Sequence, residues 1–519
     1  MPFSSRLSRP NTIIALVSVA IFVGAMDLTV ASAFLPQVVV DFELTVDQSA
    51  LAGWVVTMYL AAYAVSMTFA GRLSDLYGRR AAYLVCLAIF IAGSTMVAMT
   101  QRAPFTQSLE WLVISRVVQA LGAGAMVPVS MALAGDLYPP EKRATPLGVI
   151  AAVDTAGWVV GHLYGGIMVR LFGDWRIIFW LNVPIGVLAF ILCWRALRAR
   201  SVPQTKAQGG LDWIGVLLIG GALAAFNMGL GSGAESGAAS PFVEQTAPAY
   251  QTPLLIAAAV LFGAFIVWEL RARNPLLDMR LFRSRTFTAA SLTNLLVGFV
   301  LIVALGLVPL FVNAVIASGQ PGLTLEQILS DGAWYTGWVL SGLTLTMAIV
   351  SAFAGRIVER RGYRLPTSVG LAVGGIGFWM ASRWTSSTTY VEMLPGLMVA
   401  GAGFGLVLAP VATAVINVAP AQERGSASAL VIILRLVGMS LGGSIALAWW
   451  TQRVQALTAS LSAGASLFSG DAFEVFRTAT AQAVGEAFIL FAVLPCLAGL
   501  LPASQMRSED ELRLLRSAG

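Results

Sequence analysis

Four ionisable side chains lie inside stretches that are otherwise apolar: Asp27, Arg116, Asp154 and Arg435. A charge at the centre of a bilayer costs about 2.5 kcal/mol or more, so each position needs a reason. A carboxylate there can bind and release a proton as its surroundings change. Asp27 and Asp154 are therefore candidates for reversible protonation, which would couple a proton gradient to transport. The competing role for each is a fixed ion pair or a helix-stabilising hydrogen bond. Arg116 and Arg435 could tune a neighbouring acid, bind an anionic group in a substrate cavity, or serve as structural partners. His162, the only histidine of the chain, could titrate near neutral pH. It is a third proton-coupling candidate, against a packing role among glycines.

Such residues need membrane-crossing elements to position them. The chain has 519 residues, 57% hydrophobic and only 11% charged. Soluble chains carry roughly 25% charged residues, so a soluble enzyme, a disordered chain and a nucleic-acid module are excluded. The net charge of +6 reads as a topology signal, and no nucleic-acid partner is expected. A spanning helix needs roughly 20 apolar residues. Fourteen stretches qualify, near 12–35, 49–70, 81–100, 110–134, 145–170, 177–195, 213–231, 253–269, 287–313, 334–354, 366–383, 391–417, 427–449 and 483–501. The first is too long, and followed by too many others, for a cleaved signal peptide. With the N-terminus in the cytoplasm, 24 of the 32 Lys and Arg fall on the inner side, 6 on the outer side and 2 within spans. That bias predicts an all-α, multi-pass plasma-membrane protein with both termini cytoplasmic. Cys86, Cys193 and Cys496 lie in apolar stretches without CxxC spacing, so no disulfide framework is expected.

The chain repeats itself. Gly71-Arg72-Leu73-Ser74-Asp75-Leu76-Tyr77-Gly78-Arg79-Arg80 matches the segment from Gly355 to Gly362 at an offset of 284. Gly122 and Gly124 map onto Gly403 and Gly405 at 281, as do Arg143, Gly157 and Gly161 onto Arg424, Gly438 and Gly442. Two six-span halves follow, at 1–204 and 285–505, with two inserted helices in 205–284 and a tail at 506–519. Asp154 lies 11 residues after Arg143, and Arg435 lies 11 after Arg424. At 1.5 Å per residue both sit about 16 Å deep and should face a central cavity. Gly157, Gly161 and Gly165 form a small-residue ladder that lets helices approach closely in lipid, as do Gly438 and Gly442. Asp75 can accept from N–H groups at a helix start or from a nearby arginine.

Other chemistries fail on their residues. The two lysines, Lys142 and Lys206, are followed by Arg143 and Ala207, so no phosphate loop of the Gly-Lys-Ser/Thr kind exists. One histidine excludes HExxH zinc chemistry. Gly438-Met439-Ser440-Leu441-Gly442 has the spacing of a nucleophile elbow but sits in a spanning helix, not a strand-turn-helix. No enzyme, cofactor or metal is expected.

The motifs resemble those of the major facilitator superfamily, specifically its fourteen-span drug:proton antiporter branch. Asp27-Leu28-Thr29 through Leu35-Pro36 resembles that branch's first-helix motif. Gly71 to Arg80 resembles the superfamily's loop motif, and Arg116 with Gln119, Gly122 and Gly124 its fourth-helix motif. Asp174-Trp175-Arg176 with Asn182-Val183-Pro184-Ile185-Gly186 resembles the start of helix six. Asn274-Pro275-Leu276-Leu277-Asp278 with Leu281-Phe282 resembles the segment after the inserted helices. One departure stands out: the exporter motif Gly-Pro-x-x-Gly-Gly reads Gly161-His162-Leu163-Tyr164-Gly165-Gly166 here. The resemblance implies two six-helix halves working by alternating access. It implies that Gly71, Asp75, Gly78, Arg79 and Arg80 latch the outward-open state, and that the helix-five glycines lie between the halves. The function expected is proton-coupled export of lipophilic or amphipathic compounds, with export of a membrane or envelope lipid as the alternative. A transport-inactive receptor or scaffold would be marked by loss of intramembrane charges, and four remain. The protein is expected to act as a monomer in the lipid bilayer. The outer segments 232–252 and Ala317 to Ala333 are linkers or contacts for extruded substrate or an envelope partner.

Overall fold

The computed structural model describes every residue except 1–8, 45–48, 200–209, 231–250, Asn274, Leu277, 318–324, 463–470 and 508–519. Among the described residues the regular structure is helical, with no strand. The long helices in chain order are α1 (Pro10–Thr29), α2 (Ala31–Asp41), α3 (Trp54–Tyr77), α4 (Arg79–Ala98), α5 (Leu109–Leu137), α6 (Ala144–Phe172), α7 (Arg176–Ala199) and α8 (Trp213–Leu230). They continue as α9 (Gln251–Glu269), α10 (Arg285–Phe311), α11 (Leu325–Arg361), α12 (Arg364–Ala381), α13 (Tyr390–Val418), α14 (Arg424–Ser462), α15 (Asp471–Phe488) and α16 (Leu494–Ala503). Among the described residues, eleven helical segments are long and apolar enough to cross a membrane.

Helix is the spanning structure because hydrocarbon offers the backbone no partner. The ends are capped where the chain leaves the bundle. Ser108 Oγ accepts from Trp111 N at the start of α5. Glu392 returns to Thr389 N at the start of α13.

Helices α1 to α7 pack largely among themselves: α3 and α4 against α5, α1 against α6, and α4 against α7. The later helices do the same, with α10 against α14 and α13 against α11 and α12. The two groups meet along two seams. In one, α14 lies on α3 and α5; in the other, α6 lies on α11 and α13. The inserted pair α8 and α9 forms a hairpin, and α8 packs on α3.

Three expectations need correction. The first apolar stretch is not one helix but α1 and α2, broken at Val30. The outer segment after Ala317 is helical from Leu325 onward, because α11 starts there; 231–250 lies outside the described residues. The glycine ladders do not lie between the halves. A Cβ at Gly157 would meet Phe22 O at 2.7 Å, and one at Gly161 would meet Met26 O at 2.4 Å, so both pack on α1 of their own half. Gly438 and Gly442 likewise press on Leu295 O and Phe299 O of α10. Gly165 is buried on α6.

Candidate functional site: two charged centres and two seams

Asp27 is fully buried in the last turn of α1. Asn182 of α7 donates to both its carboxylate oxygens, at 2.9 and 3.0 Å, and Gln119 of α5 donates at 2.7 Å. Arg116 does not reach the carboxylate. Its Nη2 donates to the Asp27 backbone carbonyl at 3.0 Å and its Nη1 to Gln119 Oε1 at 2.6 Å. The break at Val30 makes this possible, because a carbonyl at a helix end lacks its usual partner four residues on. The guanidinium lies over the Tyr59 ring, 3.8 Å from its centroid. The Asp27 carboxylate is thus caged by neutral amides, with Arg116 on the backbone carbonyl and Gln119 between its guanidinium and the carboxylate.

Asp154 and Arg435, which the repeat puts at equal depth, come together. Arg435 Nη2 donates to Asp154 Oδ2 at 3.1 Å, joining α6 to α14 across the halves, with both residues buried. Asp154 Oδ1 has no hydrogen-bond partner among the described residues. They do not line an empty cavity as charges facing open space; they close on each other. The structure does not join this pair to Asp27 directly. Between them stand Tyr59 and Tyr63, stacked with centroids 6.0 Å apart, and Tyr63 is within electrostatic reach of Asp154 and Arg435. Neither tyrosine was singled out from sequence; their spacing of four on α3 was the available signal. The His162 side chain lies outside the described residues.

At the end of the bundle carrying the basic loops, the repeat becomes contact. Asp75 accepts from Gly425 N, Ser426 N and Ser426 Oγ, each at 3.0 Å, and from Arg79. Those N–H groups open α14, where helix donors are free and the dipole favours an anion. Gly71 lies so close that a Cβ would stand 2.4 Å from Gly425 O. Gly78 ends α3 at φ 97, a conformation that favours glycine. Arg79 and Arg424 grip Asp136 from two sides at 3.0 and 2.7 Å. Arg80 is half-buried at the start of α4.

The second seam repeats this in other chemistry. Glu359 accepts from Thr145 N at 3.2 Å and Thr145 Oγ1 at 2.7 Å, at the start of α6. A Cβ at Gly355 would meet Ala144 O at 2.5 Å. Where the first seam has Arg79, Asp136 and Arg424, the second has Tyr363, Asn417 and Arg143. Asn417 donates to the Tyr363 hydroxyl at 2.8 Å and accepts from Arg143 at 2.8 Å. Offsets of 284 and 281 relate the positions. At these three positions one seam has an acid between two arginines, the other a neutral amide between an arginine and a phenol.

Beside the first seam, Glu423 faces Asp278, Arg72, Asp75 and Arg280. Burial, with Asp278 and Asp75, pushes its carboxyl above the usual range against the pull of the arginines.

The sequence profile described as Major Facilitator Superfamily matches residues 17–443. The chain belongs to the Major Facilitator Superfamily. Within it, a triacylglyceride transporter of Mycolicibacterium hassiacum is 33% identical over 95% of this chain and 92% of its own. A triacylglyceride transporter of Mycobacterium tuberculosis is 31% identical over 95% of each chain. Among solved structures, the proton:xylose symporter XylE aligns with a TM-score of 0.60 at 15% identity over 98% of this chain and 99% of its own. The human organic anion transporter MFSD10 aligns at 0.57 and 13% over 98% and 100%. These share the superfamily's fold. The chain is therefore a multi-pass membrane transporter of this superfamily. Residues the sequence reading left out, Ser94, Asp136, Tyr363 and Asn417, and Glu359, which entered it only as the repeat of Asp75, complete the contacts of its charged centres and seams.

Proposed function

We propose that this transporter exports a neutral membrane lipid of the triacylglyceride class by proton-coupled alternating access. The observation that carries the mechanism is the Asp154–Arg435 pair, buried at mid-depth and spanning the halves. A buried pair is costly to break by removing one charge, about 3–5 kcal/mol. Protonation of Asp154 removes such a charge reversibly, so proton binding loosens the halves at their centre. Asp27 is the second proton-coupling residue, since its amide cage holds it without a salt bridge within 4 Å among the described residues. Gly71, Asp75, Gly78, Arg79 and Arg80 then form the latch of the state seen here. With that latch in the cytoplasm, this state is the outward-facing one.

The lipid cargo rests on two supports. The whole-length relatives are named triacylglyceride transporters. Asp154 and Arg435 also neutralise each other, leaving no net charge between the halves for a cationic drug to seek. This favours the lipid over the multidrug reading. We further assign fourteen spans and the drug:proton antiporter branch, counting α6, α8 and α12 with the eleven apolar segments. Both termini lie in the cytoplasm, the halves are 1–204 and 285–505, and the site is the plasma membrane.

The test is triacylglycerol transfer and dye efflux from the same proteoliposomes under an imposed pH gradient. Asp27→Asn and Asp154→Asn should each abolish gradient-driven lipid transfer. If both retain it, the coupling assignment is wrong. Dye movement without lipid movement would return the multidrug reading.

A further inference from the structure

When the latch end of such a protein opens, the halves part along both seams, and a membrane lipid could reach the centre through either. Two independent features make the seams unequal. The first is cover. α8 packs along α3 and also touches α14, so it bridges the α3/α14 seam from the lipid side. A Cβ at Gly220 of α8 would stand 3.2 Å from Val65 Cγ1 of α3. α9 lies outside α8, with Ile256, Val260 and Val267 exposed. The hairpin is pinned at its base: Trp268 Nε1 donates to Asp212 Oδ2 at 2.7 Å, and Glu269 accepts from Leu276 N at 3.2 Å. Its main contact is α3, so it moves with the first half and keeps its place when α14 withdraws.

The α6/α11 seam carries no such cover among the described residues. Along α6, Val160 is exposed and Val149 and Val153 are half-buried on the flank beside the seam. On α11, Leu345 and Ile349 are exposed, one step around the helix from Ser351 and Gly355, which touch α6. The second feature is the closure itself. The covered seam is held by Asp136 between Arg79 and Arg424, and the uncovered one by Asn417 between Tyr363 and Arg143. Across the halves, Arg424 grips a carboxylate in the covered seam where Arg143 grips only a neutral amide in the other, and arginine–carboxylate pairs are among the strong hydrogen bonds, so the uncovered seam is also the more easily parted.

We infer that the lipid reaches the central pathway from the bilayer through the α6/α11 seam alone, and that the inserted hairpin is a fixed side wall sealing the α3/α14 seam. This rests on the lipid reading of the cargo.

The hairpin can be locked where it stands. A Cβ at 220 lies 4.0 Å from Val65 Cβ, within the usual disulfide separation of about 3.5–4.5 Å. In Gly220→Cys/Val65→Cys, oxidation should leave triacylglycerol transfer in proteoliposomes equal to that of the reduced protein. A triacylglycerol bearing a diazirine, activated by light, should label α6 and α11 near Val153 and Ile349. Excess unlabelled triacylglycerol should suppress that label. A fall in transfer of about tenfold on oxidation, or competable label on α3 and α14, overturns the side-wall assignment while leaving the lipid reading intact. If the reduced protein moves no triacylglycerol, the lipid reading fails and this inference falls with it.

Discussion

Asp75→Asn is the sharpest test of the seam contacts. The carboxylate accepts three bonds of 3.0 Å from Gly425 and Ser426 at the free start of α14. Asparagine keeps the shape, retains one acceptor and turns the other into a donor that faces N–H groups. A hydrogen bond to a charged group contributes about 1.5–3 kcal/mol, against about 1 for a neutral one. Losing one such bond and weakening the rest should cost the closed state about 2–4 kcal/mol. Arg79 is not orphaned, because Asp136 still holds it at 3.0 Å. At 1.4 kcal/mol per decade, the open population should rise about 30- to 1,000-fold. Ser428 reports this directly: it is buried, and its Oγ donates to Pro128 O across the halves at 2.9 Å. In a Ser428→Cys background depleted of other cysteines, maleimide labelling should speed up by about two orders of magnitude with Asp75→Asn. Gly71→Ala should act the same way by sterics alone, since its Cβ would stand 2.4 Å from Gly425 O. Equal labelling rates in parent and both variants, with all three eluting as folded protein, would refute the reasoning.

Arg435→Gln should lower the thermal midpoint by leaving Asp154 buried alone, a loss of about 3–5 kcal/mol, and Asp154→Asn/Arg435→Gln should recover most of it without recovering proton-driven transfer. Asn182→Leu removes the donor to both Asp27 oxygens and should cut gradient-driven transfer about tenfold or more, read beside an unchanged elution profile. Glu423 behaves oppositely to a salt-bridged acid. Because burial raises its carboxyl in the folded protein, its penalty is absent below the unfolded value of about 4.3 and grows as pH rises through and above it. Glu423→Gln should therefore raise the thermal midpoint at pH 7 relative to the native protein and leave it unchanged at pH 4, as a pH series of melting curves would reveal.

Several of these contacts were legible before any coordinate. Asp75 between glycines announced an acceptor for a helix start, and the equal spacing from Arg143 to Asp154 and from Arg424 to Arg435 put an acid and a base at one depth. Depth along a helix follows from counting residues, because the rise is fixed. Rotation about the bundle does not. The glycine ladder of α6 was expected between the halves and packs on α1 instead, since a small-residue row says that a backbone comes close but not whose. Arg116 was expected to tune a neighbouring acid, bind an anionic group or serve as a structural partner; it holds the Asp27 backbone carbonyl, and Gln119 stands between it and the carboxylate. That arrangement needs the break at Val30, which nothing local in Asp27 to Ala33 announces.

By itself the sequence determined that this chain lives in a membrane, which loops are basic, and that it repeats. Those follow from composition and periodicity, which act one helix at a time. Only the tertiary structure decided what the repeat is for. It placed each repeated acid, Asp75 and Glu359, on the helix start of the opposite half. It also showed that the two seams are closed by different chemistry and covered differently. Contacts between halves depend on how two helix bundles are rotated against each other, and no span carries that in its own residues.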